Sequence, residues 1–197
     1  MIMFERFIIG LVGPSGVGKG YAKEALKRNL PKIREPVVVT TRPQRKTDGP
    51  DRKAGVAIET FQKQTQAGEI KFAHQPFGPD GDWYGFDQQS LTHKDGELIL
   101  TEVHPENVEP FREEFPEGLL LIALVASQDY LESNLRSRGS EDEESLKLRL
   151  VTARRETDQI VYLQSKGQVD LVVEVNQNNR GGLDDLITIV TLTLLQM

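Results

Sequence analysis

The segment Gly13-Pro14-Ser15-Gly16-Val17-Gly18-Lys19 has the spacing G-x-x-x-x-G-K. Glycines at those positions let successive backbone N–H groups converge on one anion with no Cβ in the way. A helix starting at Lys19 would add its positive N-terminal end, and Lys19 a point charge for β- and γ-phosphates. Gly20 follows, where this motif normally carries a Ser or Thr hydroxyl for Mg²⁺. A second candidate is Thr40-Thr41-Arg42-Pro43-Gln44-Arg45, in which two guanidinium forks stand three residues apart. Arg42, Arg45, Lys46, Arg52 and Lys53 outweigh Asp48 and Asp51 there, a local field suited to a doubly charged phosphate.

The pattern around these residues predicts the elements that hold them. Phe7–Val12 reads as a buried strand running into the glycine loop. Ala22, Ala25, Leu26 and Leu30 make a helical face closed by Pro31. Further strands are expected over 36–41, 98–103, 119–125 and 169–175, and helices over 58–67, 128–138, 141–166 and 183–194. The stretch 42–55 reads as a loop, and 68–85 shows no clear period. Apolar runs alternating with helical patterns indicate an α/β chain with a mainly parallel sheet. The polar, turn-rich segment from 42 to 95 reads as a lobe inserted into that core, not an independent domain.

Composition narrows the function. The chain has 197 residues, 38% of them hydrophobic and 27% charged, which suits one folded domain rather than a disordered chain. Lys plus Arg number 24 against 30 Asp plus Glu, a net charge of −6, which disfavours a dedicated nucleic-acid binder. The absence of cysteine removes disulfides, thiolate metal sites and cysteine nucleophiles. His74, His93 and His104 lack metal-ligand spacing. No signal-peptide pattern or membrane-span-length apolar run is present, so a cytoplasmic protein with no membrane partner is expected.

Taken in order, these motifs resemble the guanylate kinase family. The resemblance runs from the glycine loop through the T-T-R-x-x-R segment to Tyr84-Gly85. It continues with Arg138-Gly139-Ser140-Glu141-Asp142-Glu143-Glu144-Ser145, Arg149-Leu150 and Val173-Glu174-Val175-Asn176. It implies a P-loop kinase core with a mainly parallel five-stranded sheet flanked by helices. The core would comprise about 1–41 and 96–197, with an acceptor-binding lobe at about 42–95 and a helical lid at about 136–150. The implied reaction moves the γ-phosphoryl group of ATP, with Mg²⁺, to a nucleoside monophosphate. Gly13 to Gly20 and Asn176 would bind ATP. Arg42, Arg45 and Tyr84 would hold the acceptor's phosphate, and Lys19, Arg42, Arg138 and Arg149 would steady charge during transfer. Glu102 would lie at the acceptor and help organise Mg²⁺ through water, with no direct metal ligand assigned.

The base-reading positions depart from the family. Val38 replaces a Ser, Phe72 aligns with a guanine-reading Glu, and Phe86 replaces a Ser or Thr. Asp51 to Val56 lacks the family's Tyr, and Glu102-Val103-His104 replaces a D-x-D pair. Glu69 is an alternative reader if the loop is shifted. Guanine's N1–H and 2-amino groups need buried acceptors, and each left unpaired costs about 1–3 kcal/mol. Three functions follow: a nucleoside- or deoxynucleoside-monophosphate kinase with altered base preference or a divergent guanylate kinase, a kinase acting on a sugar phosphate such as ribose 1,5-bisphosphate, or a non-catalytic binding domain. Retention of Lys19 favours an enzyme. Oligomeric state is not readable.

Overall fold

The computed structural model describes residues 7–30, 32–46, 48–92, 97–137 and 143–176, together with 185, 186, 188–190 and 192. Two sheets organise them. The larger contains β1 (Phe7–Val12), β2 (Ile33–Arg34), β7 (Leu98–Glu102), β8 (Leu119–Val125) and β9 (Leu171–Glu174). Its order is β2-β7-β1-β8-β9 and every pairing is parallel. A parallel sheet is covered on both faces, so its central strands need continuous apolar runs. The run Leu119-Leu120-Leu121-Ile122-Ala123-Leu124-Val125 supplies one, buried through Leu124.

Helices cover the two faces. On one, α1 (Lys19–Asn29) contributes Ala22 and Leu26 and α4 (Gln128–Ser137) contributes Leu131, against Ile9, Leu11 and Ile122. On the other, α3 (Val108–Glu114) and α5 (Glu143–Ser165) bring Phe111, Ile160 and Leu163 against Ile8, Val12 and Leu121. Leu186 and Val190, within the helix expected at 183–194, complete the first cluster. No helix among the described residues is long and apolar enough to cross a membrane.

The smaller sheet is mixed, with the order β4-β3-β6-β5. It comprises β3 (Val38–Thr40), β4 (Arg52–Lys53), β5 (Ile70–His74) and β6 (Tyr84–Asp87). The helix α2 (Ile58–Gln66) seats Phe61 against Val39 and Ile70, with Trp83 at 5.9 Å. The strand expected over 36–41 therefore forms, but in the lobe and not in the core, so the second sheet begins before residue 42. Pro36 marks the departure: it has no N–H to continue a ladder. The two residues Ile33 and Arg34 take the core edge beside Leu98 and Ile99. β4 lies within the stretch read as a loop; β5 lies within the stretch without a clear period, and β6 begins at its end. α3 is also additional, a helix of only 7 residues and too short to show a period.

Phe72 explains why β5 carried no alternating pattern. Its φ is +56°, and the β5–β6 register shifts between Lys71 and His74. The irregularity turns the Phe72 ring onto Phe111, with centroids 3.9 Å apart, and towards Phe86 and Phe115. Asn107 holds the bulged backbone by donating from Nδ2 to the Phe72 carbonyl at 2.8 Å. Substituting Phe72→Gly would relieve about 1 kcal/mol of left-handed strain. It would forfeit about 3 kcal/mol of ring packing. The variant is expected to be destabilised by about 2 kcal/mol, read as a lower urea midpoint with an unchanged slope.

Candidate active site

Parallel pairing places the chemistry at one end of the larger sheet. Leu11 of β1 is opposite Glu102 of β7, and Val103 N–H donates to the Leu11 carbonyl at 2.9 Å. The glycine loop leaves β1 just where Glu102, Val103 and His104 leave β7. Gly16 and Gly18 have φ of +90° and +107°, and Gly18 caps α1. A Cβ at Gly13 would stand 2.9 Å from the Leu124 carbonyl oxygen, so the loop's first position has no room for a side chain. Asn134 of α4 donates to the Gly16 carbonyl at 3.0 Å and holds the loop from outside.

Lys19 Nζ folds back on the loop, donating to the carbonyls of Gly13 at 2.6 Å and Pro14 at 3.1 Å, with Glu102 at 4.0 Å. One helical turn on, Lys23 lies 3.0 Å from Glu102 and 2.6 Å from Glu35, which also pairs with Lys27 at 2.9 Å. Burial alone would lower the Lys23 ammonium, but Glu102 and Glu35 outweigh it and raise it. Conversely, enclosure would push the Glu102 carboxyl up, and Lys19 and Lys23 hold it below its ordinary range. Lys23 and Glu35 were not anticipated; the helical spacing of Lys23 from Lys19 was their one signal.

A cavity of about 430 Å³ runs from this loop to the lobe and is lined by Lys19, Glu102, Arg42, Arg45, Tyr84 and Arg149 among others. Both motifs thus face one space. Arg42 is buried and partly committed: it donates to Asp48 at 2.8 Å and to the Pro43 carbonyl at 2.6 Å. The Arg42 bond, followed by the Arg45 N–H, holds the Asp48 carboxyl below its ordinary range. Arg45 is exposed, and Arg52 also lines the cavity. Arg149 of α5 reaches Ser15 Oγ at 3.4 Å and lies over the Phe77 ring at 5.5 Å. Asn176 is exposed just beyond β9. Arg138 lies outside the described residues, as does part of the segment expected as a lid; residues 143–150 are the first turns of α5.

Gly20 is exposed, with nothing within 4 Å of the point a Cβ would occupy. Among the described residues no group of three His, Asp or Glu side chains could hold a metal ion alone. That donor set fits a hydrated Mg²⁺ carried on phosphates, with Glu102 the nearest acid, better than a protein-enclosed ion.

The far end of the cavity is built from imidazoles and one glutamate. The His74 and His104 rings stack at 4.6 Å, and Tyr84 stacks on His74 at 6.0 Å. His74 Nδ1 is 3.0 Å from Asn107 Nδ2. Glu156 of α5 is buried; its Oε2 accepts the Ser15 N–H at 2.9 Å, and its Oε1 lies 3.5 Å from His104 Nε2. Glu69, the alternative reader, is exposed and lines no cavity here. Glu156 escaped the sequence reading, although it interrupts the apolar stripe Leu146, Ala153, Ile160, Leu163. Such a carboxylate in a buried stripe signals a paired or functional acid.

Burial, with the neighbouring His104, lowers the His74 pKa from 6.5 to about 4. In that window the unfolded chain binds a proton that the folded chain refuses, so stability falls as pH drops from about 6.5 to about 4. Urea unfolding across that range is expected to show this slope, and His74→Gln to flatten it. The loss due to Asp48, Glu35 and Glu102, whose carboxyls are depressed, belongs to lower pH and should persist.

A family model described as guanylate kinase matches residues 5–179. A guanylate kinase from Thermosynechococcus vestitus is 32% identical over 160 residues, covering 76% of this chain and 78% of that protein. One from Synechococcus sp. is 30% identical over 187 residues, covering 91% and 79%. The crystal structure of guanylate kinase from Anaplasma phagocytophilum superposes with a TM-score of 0.69 at 22% identity, covering 98% and 88% of the two chains, and shows the same fold. Motif order, fold and family match converge: the chain belongs to the guanylate kinase family.

Proposed function

We propose that the chain transfers the γ-phosphoryl group of ATP to a nucleoside monophosphate. The observation that carries this reading is that the glycine loop with Lys19 and the segment with Arg42, Arg45 and Tyr84 line one cavity. The glycine loop, with Lys19 and the start of α1, suits the donor's phosphates. Arg45 and the uncommitted part of Arg42 suit the acceptor's phosphate, with Tyr84 as a hydroxyl donor. Arg149 and Arg138 are assigned to charge that spreads over the transferring group, and Asn176 to the adenine. No protein nucleophile is needed, since positioning and charge neutralisation suffice for in-line transfer. Mg²⁺ on the ATP phosphates supplies charge neutralisation, and Glu102 would orient its water shell. Such a reaction belongs in an ATP-supplied compartment, the cytoplasm. The curated relatives are named guanylate kinases, which makes GMP the first acceptor to assay. The comparisons lend the sugar-phosphate alternative no support.

The decisive experiment follows ADP formation from Mg·ATP with each ribo- and deoxyribonucleoside monophosphate. Turnover with at least one is expected, and it should disappear in Lys19→Ala. ATP binding without turnover of any monophosphate would overturn the assignment. Arg45→Ala is expected to raise the acceptor KM about tenfold, the loss of one charged hydrogen bond, with little change in stability. Arg42→Ala should raise KM and also destabilise the fold, because it strands the enclosed Asp48. Gly20→Ser, at a position with open space around it, is expected to lower the Mg²⁺ concentration for half-maximal rate.

A further inference from the structure

The peptide that joins Pro14 to Ser15 is held at both of its polar ends. Its N–H, on Ser15, donates to Glu156 Oε2 at 2.9 Å. Its carbonyl, on Pro14, accepts from Lys19 Nζ at 3.1 Å and from the Val17 N–H at 3.2 Å. A peptide unit is planar, so its N–H and C=O point in opposite directions and can only turn together. The Glu156 bond therefore fixes the direction of a carbonyl on which Lys19 rests.

No regular element would fix that peptide instead. β1 ends at Val12, α1 begins at Lys19, and Pro14 has no N–H of its own. One helix supplies the hold. Glu156 and, two turns earlier on α5, Arg149 reach the N–H and the hydroxyl of the same residue, Ser15. Glu156 is buried in a stripe with Leu146, Ala153 and Ile160, where a carboxylate is more costly than an apolar side chain of similar size. Its other oxygen lies 3.5 Å from His104 Nε2. Packing alone does not call for an acid at this point of α5, whereas the Ser15 N–H does.

We infer that Glu156 is a positioning residue for phosphoryl transfer: through the 14–15 peptide it sets the carbonyl against which the Lys19 ammonium is aligned. In this role it touches neither nucleotide and moves no proton. Without the acceptor the peptide is free to turn, and the Pro14 carbonyl and Lys19 shift with it. Misplacing a catalytic group by about 1 Å costs on the order of 100-fold in rate. Ground-state binding is shared among many contacts and suffers less. The inference rests on the monophosphate-kinase reading above and adds a residue to it.

Steady-state kinetics with Mg·ATP and the monophosphate that the wild-type chain turns over fastest test it. Glu156→Ala is expected to lower kcat by about twentyfold or more and to move either KM by less than about threefold. Glu156→Gln keeps an oxygen acceptor at the same reach and is expected within about fivefold of the wild-type kcat. Glu156→Asp keeps the charge but falls one methylene short, and is expected to be as slow as Glu156→Ala. Gln above Asp is the signature of an acceptor needed at a fixed distance; a carboxylate acting by charge or as a base gives the reverse order. The Ser15 amide proton, followed by NMR in the folded variants, is expected to shift upfield in Ala and Asp and least in Gln. Asp at or above Gln in kcat, Gln no faster than Ala, Ala within threefold of wild type, or a loss confined to KM would each overturn the inference and leave the kinase reading in place. A Ser15 amide proton unmoved in Glu156→Ala would overturn it as well. A wild-type chain that binds ATP and turns over no monophosphate would defeat the kinase reading itself, and the inference with it.

Discussion

The parallel pairing of β1 with β7 is the constraint on which the rest depends. It fixes Leu11 opposite Glu102, so the C-terminal ends of the two strands emerge side by side at one end of the sheet. From the first comes the glycine loop, and from the second come Glu102 and His104. β1 lies between two parallel partners, and its interior residues are fully buried. Slipping that register by one residue would turn its side chains to the opposite faces and separate the two ends. The precision of the site in this phosphotransferase is thus inherited from the packing of an apolar strand, not from the polar residues themselves.

A second tie crosses the molecule. The Glu156 carboxylate accepts the Ser15 N–H of the loop and faces His104 with its other oxygen. Arg149, two turns earlier on α5, reaches the Ser15 hydroxyl. One helix therefore touches both the glycine loop and the far end of the cavity. The lysine network around Glu102 and Glu35 balances charge on the opposite side. Together they let an acidic chain keep a locally cationic cavity without leaving carboxylates uncompensated.

Much of this was legible in the sequence, because some residues carry their geometry with them. The glycine loop between a strand and a helix could be read directly, since only glycine tolerates the φ at residues 16 and 18. Long apolar runs announced β1, β7 and β8. What escaped was set by contacts distant in the chain. Pro36 signalled a boundary, yet nothing local said that the strand after it joins a different sheet. β5 was hidden because Phe72 breaks its alternation, and the partner that makes this worthwhile, Phe111, lies far along the chain. Arg42 and Arg45 were visible as a motif, whereas the commitment of Arg42 to Asp48 was not. The His74–His104 stack joins two segments 30 residues apart, and no spacing rule reveals such a pair.

The left-handed backbone at Phe72 also bears on how this lineage can change. The resemblance to guanylate kinases aligns a glutamate with this position, so Phe72→Glu is the change that would supply one. In this chain the φ of +56° and the packing on Phe111 would aim the new carboxylate at the rings of Phe86, Phe111 and Phe115, where an unpaired charge is costly. An acid here would need the bulge undone first, and undoing it would cost Asn107 its hydrogen bond to the carbonyl of residue 72.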